Sequence, residues 1–164
     1  MEMVKAQING LALDASTNSP VVILAPEESQ KILPIWIGHY EAWAIGMELS
    51  GVPSKRPLTH DLLASVISSI GGKVDRIEIT ELKEQTFYAK IHIAKNGDEV
   101  IKVDARPSDS IALALKTKAP IFINSELLTL SPEQRESQGL PKNEESLKER
   151  LRRINPEDFG KYSL

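Results

Sequence analysis

The chain has no cysteine among its 164 residues, which excludes disulfides, thiolate metal ligands and a cysteine nucleophile together. Any metal must be held by carboxylates or by His39, His60 and His92, the three histidines present. Long apolar runs are missing too: none approaches the roughly 18 residues of a membrane span. The first residues, Met1-Glu2-Met3-Val4-Lys5, lack the basic-then-apolar pattern of a secretory signal. The expectation is a cytoplasmic protein with no membrane partner. A positive charge excess is the third absence. Residues 1–130 carry 13 Lys and Arg against 16 Asp and Glu, and residues 131–164 carry seven of each. Affinity for nucleic acid comes largely from neutralising phosphates, so any basic patch must be assembled locally by folding, and binding is expected to be weak or transient.

What remains is ordinary for a globular chain: 41% apolar and 26% charged residues, enough for one domain with a substantial core plus an appendage. Apolar residues alternate from Val4 to Ile8 and change phase at Asn9-Gly10 before Leu11 and Leu13, which predicts a strand with a bulge at the glycine. The turn-rich run Asp14 to Pro20 leads to Val21-Val22-Ile23-Leu24, a buried second strand. Ile32 to Ile37 is a third, and Pro34, unable to donate to a ladder, places it at an edge or leaves it paired on one side only at that point.

After Gly38 the period lengthens. Ala42, Ile45 and Leu49, widened by Trp43 and Met47, define a helix from about His39 to Ser50 that Gly51 stops. In a second helix Thr59 is the expected N-cap, Asp61 lies in the first turn, and Leu62, Leu63, Val66, Ile67 and Ile70 form the expected buried stripe before Gly71-Gly72. Val74 to Leu82 and Phe87 to Lys95 are strands, the latter with Phe87, Ala89, Ile91 and Ile93 on one face. Asn96-Gly97 is a type I′ hairpin signal leading into Val100 to Val103. Ser108 is the expected cap of a third helix burying Ile111, Ala112 and Leu115, and Pro120 to Ile123 is a last strand. This order predicts an α+β fold: a mixed, largely antiparallel sheet, two central helices, a third helix near the end of the domain, and a helical C-terminal tail. The domain is expected over residues 1–130 and a charged tail over 131–164, where Leu147, Leu151 and Ile154 fall at helical spacing, a narrow apolar stripe for docking on the core or on a partner, with the core as the expectation. Pro34 and the nearly all-round apolar first helix point to a homodimer.

Two polar clusters could carry chemistry, Lys55 to Asp61 and Asp104 to Asp109. Both open a helix, where free N–H groups and the positive dipole end favour an anion or a phosphate, with Arg56 or Arg106 supplying charge. Plain capping explains the same residues: Thr59 and Ser108 as caps, Asp61 and Asp109 as first-turn acids. His60 can transfer protons near neutral pH, but its helix neighbour Asp61 points about 100° away. Glu41, Asp61, Asp104 and Asp109 are oxygen donors suited to magnesium or manganese, so a divalent metal is possible. No phosphate loop, dinucleotide fingerprint, zinc-protease helix or nucleophile elbow is present.

Several phrases do carry a resemblance: Leu33-Pro34-Ile35-Trp36-Ile37-Gly38, Glu41-Ala42, Arg56-Pro57-Leu58-Thr59-His60-Asp61-Leu62-Leu63, Thr86-Phe87-Tyr88-Ala89, and Asp104-Ala105-Arg106-Pro107-Ser108-Asp109 through Ala114. Together, in this order, they resemble the bifunctional nuclease domain family. The resemblance implies hydrolysis of phosphodiester bonds in DNA and RNA, and hence a nucleic-acid partner. It raises nine residues as site candidates. Arg56, Thr59, Arg106, Ser108 and Asp109 would bind phosphate, with the two arginines as clamps. His60 would transfer protons, and Glu41, Asp61 or Asp104 would ligate metal or orient water. The residues are then expected to converge, with Arg56, His60, Asp104 and Arg106 in one surface depression. The alternative is a non-catalytic, dimeric binding module that recognises an anionic ligand or a protein partner.

Overall fold

The computed structural model describes residues 1–155; residues 156–164 of the tail lie outside that description. Eight strands form one sheet: β1 (Met3–Asp14), β2 (Pro20–Pro26), β3 (Leu33–Trp36), β4 (Gly72–Lys83), β5 (Thr86–Lys95), β6 (Glu99–Ala105), β7 (Ile121–Asn124) and β8 (Leu151–Ile154). Five helices accompany them: α1 (His39–Ser50), α2 (Thr59–Ser69), α3 (Pro107–Thr117), α4 (Pro132–Ser137) and α5 (Glu144–Arg150), with a 3-10 turn over Ser125–Leu128. The fold is the expected α+β class. Seven strands run in the order β3-β2-β1-β7-β4-β5-β6, and β8 pairs with β1 beside β7. Among the described residues every pairing is antiparallel except β4 with β7.

Local chemistry explains most elements. Gly10 adopts φ 116, and the β1–β2 register shifts between Ile8 and Leu11, the bulge read from the phase change. β2, paired on both sides by β1 and β3, is buried along its whole length. Pro34 sits on edge strand β3 opposite Ile23, where its missing N–H costs no ladder bond. Gly51, left-handed at φ 71, receives the end of α1. No helix among the described residues is long and apolar enough to cross a membrane.

The core lies between sheet and helices. From the sheet come Leu11, Val22, Leu24, Ile77, Ile79 and Ile123; from the helices come Ile45, Ile111, Ala112 and Leu113. Helix α3 buries seven of its residues and packs against α1, α2, β4 and β5, so it is the middle of the helix layer. Fully burying a side chain such as Ile111 or Leu113 stabilises by about 1.5–3 kcal/mol.

Several expectations are corrected. The stripe of α2 is turned outward: Leu62 is 57%, Leu63 38%, Val66 48% and Ile70 64% exposed, and only Ile67 is buried. The helix meets the core through Ala64 and Ile67, and a residue two positions from this face lies roughly 200° round the helix. Thr59 is the first helical residue and not the cap. Leu58 precedes the helix, and its N–H donates to Asp61 Oδ2 at 2.9 Å. Ser108 is not a cap either: Arg106 holds that position with Pro107 at the first turn, and Ser108 is buried. Leu49 of α1 is exposed because the buried face runs through Ala42, Ile45, Gly46 and Met47. Leu115 is only half-buried. The β5–β6 hairpin closes between Lys95 and Glu99, one residue longer than a two-residue turn, with Asn96 and Gly97 at φ 46 and 86. Leu147 does dock, being 3% exposed, but the helical stripe breaks at Arg150; Leu151 and Ile154 belong to β8.

The tail is pinned by charge as well as by pairing. Asp14, fully buried, accepts from Arg150 Nη2 at 2.6 Å, Trp36 Nε1 at 2.8 Å, Ser16 Oγ at 2.7 Å and Ser16 N at 2.9 Å. Arg150 also lies over the Trp36 ring, 5.6 Å from its centroid. Burial opposes ionisation of Asp14, but the hydrogen bonds from Arg150, Ser16 and Trp36 overcome it and hold the carboxyl well below its ordinary range. Arg153 Nη1 donates to Asn9 O at 2.6 Å, across the β1 bulge.

Candidate functional site

The starts of α1, α2 and α3 meet. Arg106, at the N-cap of α3, places Nη2 2.8 Å from Glu41 Oε1 of α1 and 2.8 Å from Asp109 Oδ2, while its Nε donates to the same Oδ2 at 2.9 Å. The other oxygen of Asp109 lies 2.9 Å from His60 Nε2 of α2. Glu41, Arg106, Asp109 and His60 are therefore one chain of contacts assembled from three helices. The hydrogen bonds from Arg106 to Asp109, then to Glu41, hold the guanidinium pKa above its ordinary value.

Sequence periodicity could place each helix start but not bring residues 60 and 109 together, because that contact is made only by packing α2 and α3 side by side. Gly38 is part of the same construction. A Cβ there would overlap Glu41 Oε2, so glycine lets the carboxylate fold back over the chain entering α1.

On one side of this chain lies a cavity of about 420 Å³, walled by the end of β3 with Gly38, by Arg106, Pro107 and Ser108 at the start of α3, and by the β4–β5 turn and the tail around Gln138. Gln85 N donates to Gln138 Oε1 at 2.7 Å, tying turn to tail along the rim. Arg106 stays 65% exposed despite its partners, so its charge is offered to solvent at the cavity wall. Gln85 and Gln138 carry no sequence signal for such a role; the tail's contribution could be found only from the folded chain.

The other candidates fall elsewhere. His60 lies behind Asp109 and lines a small recess of about 50 Å³ with Asp61, Lys116 and Met47. Asp61 pairs with Lys116 Nζ at 2.8 Å, and Lys116 also reaches Glu48 at 3.5 Å. Burial opposes ionisation of Asp61, but Lys116, the Leu58 N–H and Ser54 outweigh it and lower the pKa. The hydrogen bond to Asp61 raises that of Lys116. Lys116 was missed from sequence, although a lysine in the last turn of a helix is a legible signal. Arg56 lines a broad, shallow depression of about 690 Å³ with Lys55, Asp61, Ser65 and Lys116. Thr59 is exposed and makes no side-chain hydrogen bond among the described residues. Asp104 lies on β6 opposite Lys90 and borders neither depression. The expected single depression is thus realised only in part: His60 and Arg106 are linked through Asp109, whereas Arg56 and Asp104 stand apart.

Among the described residues no three histidines or carboxylates are gathered at metal-ligand spacing. His92 is packed into the sheet, 2.7 Å from Glu78 Oε1, and is remote in sequence from both helix-start clusters.

Fold and geometry define an α+β protein with an arginine–carboxylate–histidine chain beside a cavity at the junction of three helix starts. Comparison with known proteins makes the family plain. The family model described as the bifunctional nuclease domain matches residues 22–135, and the chain belongs to that family. An uncharacterized protein of Mycobacterium tuberculosis is 37% identical over 165 residues, covering 96% of this chain and 98% of that protein. Bifunctional nuclease 1 of Oryza sativa subsp. japonica is 26% identical over 113 residues, covering 68% of this chain and 34% of that protein. Bifunctional nuclease 2 of Arabidopsis thaliana is 24% identical, over 67% of this chain and 34% of its own length. The chain therefore spans about a third of these plant proteins.

Proposed function

We propose that this chain hydrolyses phosphodiester bonds of DNA and RNA at the cavity bordered by Arg106. The observation that carries the reading is the placement of Arg106: a guanidinium at the N-terminus of α3, held by Glu41 and Asp109 yet 65% exposed beside a cavity of nucleotide-compatible size. A phosphodiester needs its non-bridging oxygens neutralised, and Arg106 together with the first N–H groups of α3 supplies that charge. Glu41, fixed by the same guanidinium and lying against Gly38 of the cavity wall, is the carboxylate placed to take a proton from the attacking water. The water oxygen then bonds to phosphorus as the bond to the leaving sugar oxygen breaks; that oxygen takes a proton from solvent water, and Glu41 gives its own proton back to solvent. His60 works through Asp109 and is a positioning residue in this scheme. Nucleic acid is the partner; the acidic total charge makes its binding transient and salt-sensitive.

A second reading is a non-catalytic module that binds an anionic ligand or a protein partner. It is favoured by the neutral polar groups of the cavity, Ser19, Gln85, Thr86 and Gln138, which recognise without reacting. Single-turnover cleavage of labelled DNA and RNA, with binding measured beside it, separates the two. Glu41→Gln is expected to keep binding and lower cleavage on the order of 100-fold. Arg106→Ala is expected to weaken binding and flatten its salt dependence. Cleavage at the wild-type rate in both variants would exclude this site. Binding that responds to Arg106→Ala without any cleavage by wild type would establish the module instead.

A further inference from the structure

The outward stripe of α2 does not stand alone. Edge strand β6 exposes Val100 (49%), Ile101 (39%) and Val103 (39%), and among the described residues β5 is its one neighbour in the sheet. Ile101 and Val103 lie opposite Ile93 and Ile91, and directly opposed residues share a face, so they point to the helix side. Ile93 and Ile67 of α2 both reach within about 3 Å of where a Gly72 Cβ would stand, at 3.0 and 3.1 Å. Buried Ile67 and half-buried Ile93 thus lie between the outward stripe of Leu62, Val66 and Ile70 and the exposed apolar residues of the sheet edge. Edges of this kind are normally blunted by proline, a bulge, charged side chains or a cover, and the charges that β6 carries, Glu99, Lys102 and Asp104, are of both signs and so can match a partner. β6 has no proline, and its ladder with β5 is regular. The opposite edge strand, β3, is buried at Leu33, Pro34 and Ile35, so the proline edge that suggested self-association from sequence is not the exposed one.

We propose that this surface is closed by a second copy of the chain, with β6 paired antiparallel to β6 of the partner about a two-fold axis at Val103. The charges select both the occupant and the register. In an antiparallel pair the faces must match, which leaves registers centred on single residues. Centring on Lys102 sets two lysines against each other, and centring on Ile101 sets Glu99 against a valine. Centring on Val103 places Lys102 opposite Asp104 of the partner subunit, and Asp104 opposite Lys102 of the partner subunit. It also joins Ile101, Val103 and Ala105 into one helix-side apolar strip. Neither Lys102 nor Asp104 belongs to an ion pair among the described residues of a single copy. A two-fold interface demands a patch complementary to itself, and this strand is. Asp104 is thereby an interface residue, and the inference holds whether or not the chain cleaves nucleic acid.

The test is sedimentation velocity of the full chain and its variants across concentration, with circular dichroism confirming each fold. Wild type is expected to be dimeric at roughly 100 µM, far above the Kd of an ordinary homodimer. Lys102→Glu and Asp104→Lys are each expected to weaken the dimer about tenfold or more, because each creates two like-charge pairs. The double variant restores opposite charges and is expected to recover the wild-type affinity. Leu62→Asp, on the exposed stripe, is expected to weaken it independently. A wild type monomeric at that concentration overturns the proposal and leaves the surface to a different protein or to a lipid surface. A dimer indifferent to the single charge reversals, or a double variant no better than either single one, overturns it as well.

Discussion

Two arginines each meet acidic partners, and they differ in what surrounds the contact. Arg150 closes on Asp14, a carboxylate with no exposure whose other bonds go to Trp36 and Ser16. Arg106 closes on Glu41 and Asp109 while remaining mostly in solvent beside a cavity. The first cluster saturates its carboxylate and shuts out water, so what it does is join the tail to β1 and β3. The second fixes side chains without hiding them, the arrangement a binding site requires. Ion pairs as such therefore say little about function; the access of a third molecule to them says more.

Removing the arginines should pull the two clusters apart. Arg150→Ala leaves a buried carboxylate without its charge partner, and breaking such a pair costs about 3 kcal/mol or more. Urea unfolding is expected to show a lower midpoint with an unchanged slope. A loss under 1 kcal/mol would mean that water reaches Asp14 and that the contrast between the clusters is false. Arg106→Ala is expected to do the opposite: stability falls by less than about 1 kcal/mol, as for exposed pairs, while cleavage drops on the order of 100-fold from lost transition-state charge stabilisation.

Acid should separate them further. The folded pKa of Asp14 is lowered, so its contribution is present above the unfolded value of about 4 and is lost as pH falls through the folded value. Stability of the wild type is expected to decline steadily below about pH 4. Asp14→Asn, less stable at neutral pH, is expected to show a shallower decline. Parallel declines in a pH series of urea midpoints would remove Asp14 as their source.

The comparison of α2 with α3 shows how much was legible in the residues. Both helices have 11 residues and apolar positions three and four apart, and both were located from that spacing. Periodicity says that a helix has an apolar side, not which side meets the core. For α3 the sides coincide, and Ile111 and Ala112 are buried. For α2 the core is met by Ala64 and Ile67, and the wider stripe faces out, a choice made by α3 occupying the middle of the helix layer. Strands with one buried face, such as β5, were readable for the same reason that Gly10 was: alternation and its interruption are local. β8 was not, because Leu151 and Ile154 become strand residues only by meeting β1 more than 130 residues away, Asp14 opposite Leu151. The helix-start residues were visible as clusters, but the chain from Glu41 through Arg106 and Asp109 to His60 depends on three helices docking.

The smallest expected effect tests an intermediate case, the contact of Lys116 with Asp61. Its lysine is 39% exposed and its carboxylate 17%, between the sealed and the open cluster. The hydrogen bond to Asp61 raises the lysine pKa, so that contribution is complete below the unfolded value of about 10.4 and is lost as pH rises through the folded value. The carboxylate pKa is lowered, burial being outweighed by Lys116, Leu58 and Ser54, so its part is present above about pH 4 and lost below. The pair thus works between about pH 4 and pH 10. Solvent screening at the exposed lysine limits its worth to the order of 0.5 kcal/mol. Lys116→Met is expected to lower the urea midpoint slightly at pH 7 in low salt, with the difference shrinking at high salt and vanishing once acid has protonated Asp61. A deficit that persists unchanged after Asp61 has been protonated and in high salt would assign the effect to packing of the lysine stem against α2 and not to its charge.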